Sequence, residues 1–131
     1  MTWARENFIA LDHVQVAMPP GLEDKAREFY GAVLGMSEMK KPATLAGRGG
    51  VWFSGGDGAT VQIHCGVDHD FRPARKAHPA ILVAEIDELA ARLEAAGHAV
   101  TWDEDIGEMR RLFCNDPFGN RLEFIEAMIL E

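Results

Sequence analysis

The feature that most constrains the fold is a tandem repeat of one order of elements. His13 and His78 each stand at the head of a short strand of alternating polar and apolar residues. In both segments a helix and then a glycine-containing hairpin follow the strand, and the segments lie about 65 residues apart. A unit of four strands and one helix cannot cover both faces of its sheet, so the two copies must pack together.

The repeat predicts one domain over residues 1–131, with one module at about 8–66 and a second at about 78–127. In the first module we expect a strand at 9–17, a helix at 22–34 before Gly35, and hairpin strands at 51–54 and 60–65. In the second we expect strands at 78–84 and 99–102, a helix at 86–96 before Gly97, and hairpin strands at 110–114 and 121–126.

The predicted fold class is α+β, with two tandem βαβββ modules that form a curved mixed sheet around a cleft and helices on the outside. Side chains alternate along a strand, so each strand pairs an aliphatic face with a polar one. The aliphatic faces should pack on the helices. The opposite faces carry a set of polar residues that meet only if the sheet curls around them: His13, Gln15, Gln62, His64, His78 and Glu123.

Two imidazoles and a carboxylate that converge would suit a divalent Fe, Mn, Ni, Zn or Co ion with positions left open for water or substrate. The repeat supports this site, because two pairs of polar residues occupy matched places in the two modules. Gln62 and Glu123 each lie four residues after a turn glycine, and His13 and His78 each begin a strand. A lone histidine on a strand is more often a hydrogen-bonded residue of the core or rim. The metal hypothesis therefore depends on the whole set.

Composition excludes several classes of partner. The net charge of −8 argues against binding to nucleic acid or to an anionic membrane surface. The sequence has neither a signal segment nor an apolar run of about 18 residues, so a cytoplasmic location is expected. Cys65 and Cys114 lie in apolar strand patterns that are typical of free, buried thiols.

These motifs resemble a known family. The stretches LDHVQVAM, FYGAVLGM, VQIHCGVD and NDPFGNRLEFIE are similar to those of the vicinal oxygen chelate superfamily, over about residues 8–127. That superfamily includes glyoxalase I, fosfomycin-resistance thiol transferases, extradiol dioxygenases, methylmalonyl-CoA epimerase and bleomycin-resistance proteins. The most specific part is the stretch D-P-x-G-N-x-x-E, from Asp116 to Glu123. The resemblance implies paired βαβββ modules and, commonly, a homodimer with a U-shaped metal cleft.

The resemblance also implies roles for single residues. His13 matches the metal ligand of the first strand, His78 the ligand that opens the second module, and Glu123 the carboxylate of the last strand. Gln62 departs from the pattern, since bacterial glyoxalase I has a metal-binding glutamate there. A glutamine amide is still a candidate metal ligand, though a weak one, and it cannot accept a proton. His64 would then be a fourth ligand or a catalytic base alongside Glu123, or only a polar lining residue.

Two functions remain open at this stage. The first is a metal-dependent lyase, isomerase, thiol transferase or dioxygenase that acts on a small oxygenated substrate. The alternative is a non-catalytic small-molecule or drug-binding protein of the bleomycin-resistance type. The candidate contacts in the substrate cleft are Gln15, Trp52, Arg111 and Phe113, with Arg110 as a further arginine whose direction the sequence does not determine. Residues 67–77 are a lid, a dimer contact or an exposed linker.

Overall fold

A computed structural model describes residues 2–103 and 109–127 of the chain. The predicted domain also includes residues 1, 104–108 and 128–131, which lie outside the described residues. In the part that is described, no helix is long and apolar enough to cross a membrane.

The first module follows the predicted order. Its elements are α1 (Trp3–Asn7), β1 (Val14–Met18), α2 (Glu23–Ala26, continued as a π-helix over Arg27–Val33), β2 (Ser37–Met39), β3 (Val51–Gly55) and β4 (Val61–Val67). The strands form a sheet in the order β1-β4-β3-β2, in which β1 runs parallel to β4. Strand β1 begins at Val14 and not at residue 9, and β2 is an element that the alternation of side chains did not reveal.

The second module repeats this topology. Its elements are β5 (Ala80–Val83), α3 (Ile86–Ala95), β6 (Thr101–Asp103), β7 (Arg111–Asn115) and β8 (Arg121–Glu126). The sheet order is β5-β8-β7-β6, again with the first strand parallel to the last. The predicted α+β class and the tandem βαβββ modules are therefore confirmed. The strands divide into two sheets of four.

Helix α3 shows why this segment is helical. Ile86, Ala90 and Leu93 are buried at intervals of four and three residues, which places them on one stripe of the helix. The acidic residues of the first turn face the positive end of the helix dipole, where they are favourable. Gly97, with a φ of 86°, lets the chain turn away after the last helical turn, as the sequence predicted.

The two modules share one hydrophobic core. Buried residues of both sheets and both long helices belong to a single cluster. The helices also contact each other, since the Arg92 Nε donates to the Val33 carbonyl oxygen at 2.9 Å and the His98 ring meets the edge of Phe29 at 4.9 Å. The helix-bearing faces of the sheets thus point toward each other. The opposite, polar faces consequently point away from the shared core.

A buried hydrogen-bond network joins the modules at the turn between β7 and β8. Asp116 accepts hydrogen bonds from the backbone N–H groups of Phe118 and Asn120 at 2.9 Å and from the Tyr30 hydroxyl at 2.8 Å. The Asn120 amide donates to Asp116 and also to the Ala17 carbonyl oxygen at 2.7 Å. Residues of the most specific motif in the sequence therefore hold the first module against the second.

Both cysteines are free and buried, as predicted. Burial raises the pKa of the Cys65 and Cys114 thiols to about 12, with a smaller contribution from the nearby Asp116 carboxylate. A thiol with such a pKa is almost entirely protonated at neutral pH, so neither residue is suited to nucleophilic or redox chemistry.

The network at Asp116 makes a testable prediction. Tyr30→Phe removes one donor and leaves a buried carboxylate less well hydrogen-bonded, so the free energy of unfolding should fall by about 1–3 kcal/mol. Urea unfolding followed by circular dichroism measures this change. Glu94→Gln, at an exposed position of α3, is the control and should leave the midpoint in place. An unchanged midpoint for Tyr30→Phe would show that the network does not stabilise the fold.

Candidate functional site

The predicted alternation of faces is confirmed on the strands that carry the candidate residues. Val16, Ile63, Cys65, Leu122 and Phe124 are all buried in the shared core. Their neighbours along the chain therefore lie on the polar faces, as side chains alternate along a strand. These faces hold the two groups of residues from which a site could be built.

Three rings stack on the polar face of the first module. The His64 ring on β4 lies between Trp52 on β3 and His13, which immediately precedes β1. Both centroid distances are 3.9 Å, and the interplanar angles are 10° with His13 and 6° with Trp52. Gln15 is the register partner of His64 on the adjacent strand. Four of the predicted residues are thus brought together on this face.

His64 is the most enclosed member of this group. The residue is only 5% exposed, and among the described residues its Nε2 has no hydrogen-bond partner. Burial lowers the pKa of the His64 imidazole below its ordinary value, and the adjacent His13 ring lowers the pKa further. His64 is therefore a neutral imidazole at neutral pH, with a buried ring nitrogen that lacks a partner.

His13 is oriented by its own neighbour in the chain. Its Nδ1 lies 2.8 Å from the Asp12 carboxylate, which accepts a hydrogen bond from that nitrogen. The Nε2 is then the nitrogen that carries a lone pair in the neutral ring. Histidines that bind metals are commonly fixed in this way, by a carboxylate or a carbonyl on the nitrogen that does not face the ion.

A charged group forms on the polar face of the second module. The Glu123 Oε1 lies 2.8 Å from the His78 Nε2, and the Glu123 Oε2 accepts a hydrogen bond from Arg111 at 3.0 Å. Arg111 also donates to Asp103 at 2.8 Å, which places its guanidinium between two carboxylates. Glu123 is 5% exposed and is the most buried carboxylate of this face.

The contact between His78 and Glu123 brings two metal-ligating atoms together. The His78 Nδ1 lies 2.7 Å from the Lys76 carbonyl oxygen, which can only accept, so this nitrogen carries a hydrogen. The His78 Nε2 lies 2.8 Å from the Glu123 Oε1, the length of a hydrogen bond, so one hydrogen is shared between the two atoms. The donor set also fits a metal in place of that hydrogen, because the carbonyl fixes His78 and Arg111 fixes Glu123 from the outer side.

Strand register corrects one prediction from the sequence. Gln15 and Ala80 each lie two residues after the strand-head histidine, and their partners on the parallel strands are His64 and Glu123. His64, and not Gln62, is therefore the counterpart of Glu123. The prediction from turn spacing was wrong for two reasons. The turn glycine lies three residues before the start of β4 but only two before the start of β8. In addition, His64 is the fourth residue of β4, whereas Glu123 is the third residue of β8.

The remaining predicted residues fall into place around these groups. The Gln62 amide donates to the Ala59 carbonyl oxygen at 3.4 Å, toward the turn before β4. Phe113 packs edge-on against His78 at a centroid distance of 5.5 Å and belongs to the second group. Arg110 is turned to another part of the surface, where it pairs with Asp87 at 2.8 Å and with Glu126 at 3.6 Å.

Within one chain these residues form two groups. Among the described residues, no three His, Cys, Asp or Glu side chains are grouped closely enough to hold a metal ion. His13 and His64 lie on the first polar face, whereas His78 and Glu123 lie on the second. His13 and His78 line one groove, but the two pairs are not grouped as the ligands of one ion among the described residues.

Three residues of these groups were missed in the sequence. Asp12 and Asp103 orient His13 and Arg111, and Arg121 packs over the Phe113 ring at 4.1 Å. Arg121 and Glu123 have the same parity on one strand, so alternation alone would have placed Arg121 on the polar face. The pairing of Asp103 with Arg111 depends on the register between β6 and β7, which no sequence pattern showed.

The comparisons with known proteins identify the family. Residues 10–124 match the model of the glyoxalase/bleomycin resistance protein/dioxygenase superfamily. The chain belongs to this superfamily. No curated protein matches the sequence.

Solved structures agree with this assignment. A protein of the glyoxalase family from Bacillus anthracis is 46% identical, with a TM-score of 0.87, over 93% of this chain and 98% of that one. The fosfomycin resistance protein FosX from Listeria monocytogenes (17% identity, TM-score 0.71, 93% and 96% coverage) has a similar fold. So does TnmS3, an antibiotic binding protein from Streptomyces sp. CB03234 (21% identity, TM-score 0.66, 92% and 99% coverage).

The setting of Arg111 gives a prediction with a matched control. Arg111→Met leaves the Asp103 and Glu123 carboxylates without their shared cation, so the free energy of unfolding should fall by about 3 kcal/mol. Arg110→Met, at the preceding residue, removes surface ion pairs and a contact with the Trp102 ring, and it should change the urea midpoint less than Arg111→Met does. Equal midpoints for the two variants would contradict a structural role for the Arg111 pairs.

Proposed function

We propose that the protein is a divalent-metal-dependent enzyme that acts on a small oxygenated substrate, with its metal site completed between two copies of the chain. The observation that carries this proposal is the pairing of His78 Nε2 with Glu123 Oε1 at 2.8 Å, because both atoms are of metal-ligand type and further hydrogen bonds hold both side chains in place. Membership of the superfamily is consistent with metal-dependent chemistry. Iron, manganese, nickel, zinc and cobalt all suit a donor set of imidazoles and a carboxylate.

The proposed ligands are His13 of one copy with His78 and Glu123 of a second copy. His13 and His78 both have the Nδ1 engaged and the Nε2 available. Gln62 was also a predicted ligand, but its amide is turned to the Ala59 carbonyl oxygen. The His64 ring lies parallel to the His13 ring at a centroid distance of 3.9 Å, and an ion bound to an imidazole lies near the plane of that ring, so one ion cannot bind both rings. We therefore propose His64 as a base and not as a ligand.

A second copy is proposed because the polar faces of one chain point in different directions. Strands β1 and β5 lie at the free edges of their sheets, and exposed edges are able to pair with another chain. A groove of about 950 Å³ runs between these edges and is lined by residues of both, including His13 and His78. A copy that enters this groove would bring its own second-module face to the first-module face of its partner.

Exposed apolar side chains support this arrangement. Ile9 and Leu11, just before β1, are 97% and 85% exposed, and Leu82 on β5 is 66% exposed. Leu11 and Leu82 both line the groove. Large apolar residues that cluster at a free sheet edge are typical of an interface between subunits. The predicted homodimer is therefore retained as part of the proposal.

The residues around the site would have different roles in catalysis. A bound divalent metal supplies Lewis-acid polarisation of substrate oxygens and lowers the pKa of a bound water or alcohol. His64, neutral and buried, is able to accept a proton from a substrate held against the face. Glu123 is held in position by Arg111, while Trp52 and Phe113 offer apolar walls that exclude water.

The ring stack favours a second candidate function. Trp52, His64 and His13 form a flat aromatic wall, which would also suit a planar or cationic ligand in a non-catalytic binding protein. The net charge of −8 is compatible with a cation. A non-catalytic binding protein has no need for a metal at His78 and Glu123, so chelation separates the two candidates.

The metal proposal predicts a defined stoichiometry. Protein purified without chelator and loaded with Mn²⁺, Fe²⁺, Co²⁺, Ni²⁺ or Zn²⁺ should hold about one ion per chain by elemental analysis. EDTA should lower its melting temperature, because an ion that binds only the native state stabilises that state. His78→Ala should lose the bound metal, and so should Glu123→Gln.

His69→Ala is the control, because His69 is an exposed residue outside both groups. It should retain the metal and the EDTA effect. Substoichiometric metal that does not change between wild type and His78→Ala would contradict the proposal. A melting temperature indifferent to EDTA, together with a large shift on addition of a planar cation, would favour the binding protein.

Mixed dimers test whether the site lies between subunits. His13→Ala damages the first-module half of a site, and Glu123→Gln damages the second-module half. In a mixed dimer of the two variants, one site would combine both intact halves and the other both damaged halves. Differently tagged chains, co-expressed and purified through both tags, should therefore hold about one metal per dimer, compared with about two for wild type.

Each variant alone should bind little metal as a homodimer. If a complete site lay within each chain, both chains of the mixed dimer would be damaged and the mixed dimer would also be empty. A protein that elutes as a monomer at all concentrations would equally contradict the proposed arrangement. A tagged wild-type dimer, purified through both tags, controls for loss of metal during purification.

A further inference from the structure

We propose that Arg121 and Arg75 form a subsite that binds the oxyanion end of the substrate, a carboxylate or a phosphoryl group. The assignment of this anion as part of a substrate rests on the proposed function, whereas the anion site itself rests on the features of the second module. These features are an arginine that pairs with no carboxylate of the described residues, a recess beside the His78–Glu123 pair, and a linker fixed against the recess.

Arg121 differs from Arg111, its neighbour on the polar face. Both outer nitrogens of Arg111 are bound, one to Asp103 and the other to Glu123. Arg121 is half-buried and contacts the Phe113 ring through its guanidinium, at 4.1 Å from the ring centroid. Within residues 2–103 and 109–127 no carboxylate pairs with it. A guanidinium over an aromatic ring keeps its five N–H donors in its plane and free for an oxyanion.

The space in front of Arg121 has the lining of an anion site. A recess of about 580 Å³ is bounded by Arg121, Arg75, Thr101, Asn115 and the Phe113 ring, among other residues. Its lining, as far as the chain is described, includes two arginines and no aspartate or glutamate. On a chain with 21 acidic and 13 basic residues, such a lining is unusual. At physiological ionic strength, salt screens the interaction between exposed charges that are more than about 8 Å apart. The two nearby arginines therefore influence anion binding more than the distant acidic residues do.

The linker between the modules is fixed where it contributes Arg75. The Ala74 N–H donates to the Asn120 side chain at 3.0 Å, and the Ala74 carbonyl oxygen accepts from the Arg121 N–H at 2.9 Å. Gly119 has a φ of 93° and comes so close to Pro73 that a Cβ would lie 3.2 Å from its ring. The residues just before Arg75 are thereby docked on the turn before β8. This segment is therefore not a free lid.

The recess adjoins the proposed metal ligands. Arg121 and Glu123 lie two residues apart on one face of β8, which separates them by about 7 Å. The Phe113 ring contacts both the Arg121 guanidinium and the His78 ring. A small substrate whose oxygens reach the metal would thus place an anionic group, a few bonds away, at Arg121. The expected substrate class is an oxygenated organic acid or a phosphoryl compound.

The test uses anion binding and needs no knowledge of the substrate. Inorganic phosphate and acetate are titrated separately into the protein by calorimetry, in a zwitterionic buffer, with and without EDTA. Arg121→Gln loses one charge-assisted contact with the anion, so it should bind the favoured anion about 10- to 100-fold more weakly than wild type does. Arg75→Gln should weaken it to a smaller degree, since Arg75 is exposed, and Arg121→Lys should restore part of the affinity.

Arg72→Gln is the matched control, since Arg72 is an exposed residue of the same linker that does not line the recess. It should bind as wild type does. Tighter binding of phosphate indicates a phosphoryl substrate, and tighter binding of acetate a carboxylate. The proposal is overturned if neither anion binds wild type at millimolar concentration, or if Arg121→Gln and Arg75→Gln bind as tightly as Arg72→Gln.

The two proposals fail separately. Anion binding that depends on Arg121 and persists in EDTA would support the subsite even if no variant affected a metal. A full complement of metal in Arg121→Gln, together with unchanged phosphate and acetate affinity, would remove the subsite and leave the metal site in place. Arg75 is exposed, so Arg75→Gln should not disturb folding. This variant therefore still tests the subsite if Arg121→Gln fails to fold.

Discussion

The structure depends on the buried carboxylate of Asp116, which fixes how the two modules face each other. It closes the turn before β8 through two backbone N–H groups and binds the Tyr30 hydroxyl of the other module. Asn120 extends the same network to β1 and to the linker. With the helix-bearing faces joined in this way, both polar faces point outward. This single constraint determines that the candidate ligands of one chain are separated into two pairs.

That separation explains how the same strands serve both stability and function. Even-numbered residues of β8, such as Leu122 and Phe124, complete the shared core, while Arg121 and Glu123 alternate with them on the outer face. The outer face carries polar groups available for chemistry: the Nε2 of His64 has no hydrogen-bond partner among the described residues, and His78 is paired with Glu123 at 2.8 Å. A metal shared between two copies would engage His13, His78 and Glu123 together.

Much of this could be predicted from the sequence, because alternation and helical periodicity are local. The modules, helix α3, the inward aliphatic faces and the buried thiols followed from such patterns. Strand register is not local, so the counterpart of Glu123 was assigned to Gln62, two residues away from His64. The relative orientation of the modules was also beyond the sequence, since it depends on Tyr30 and Asp116, which lie 86 residues apart.

The most direct test of the account is the position of the metal in the assembled protein. Crystals of protein loaded with Mn²⁺, Fe²⁺, Co²⁺, Ni²⁺ or Zn²⁺ can be measured at the absorption edge of the bound metal to give an anomalous difference map. The account predicts one strong peak per chain, within about 2–2.3 Å of the His13 Nε2 from one copy and of His78 and Glu123 donor atoms from the other. A peak bound only by residues of a single chain, or no peak at either polar face, would contradict it.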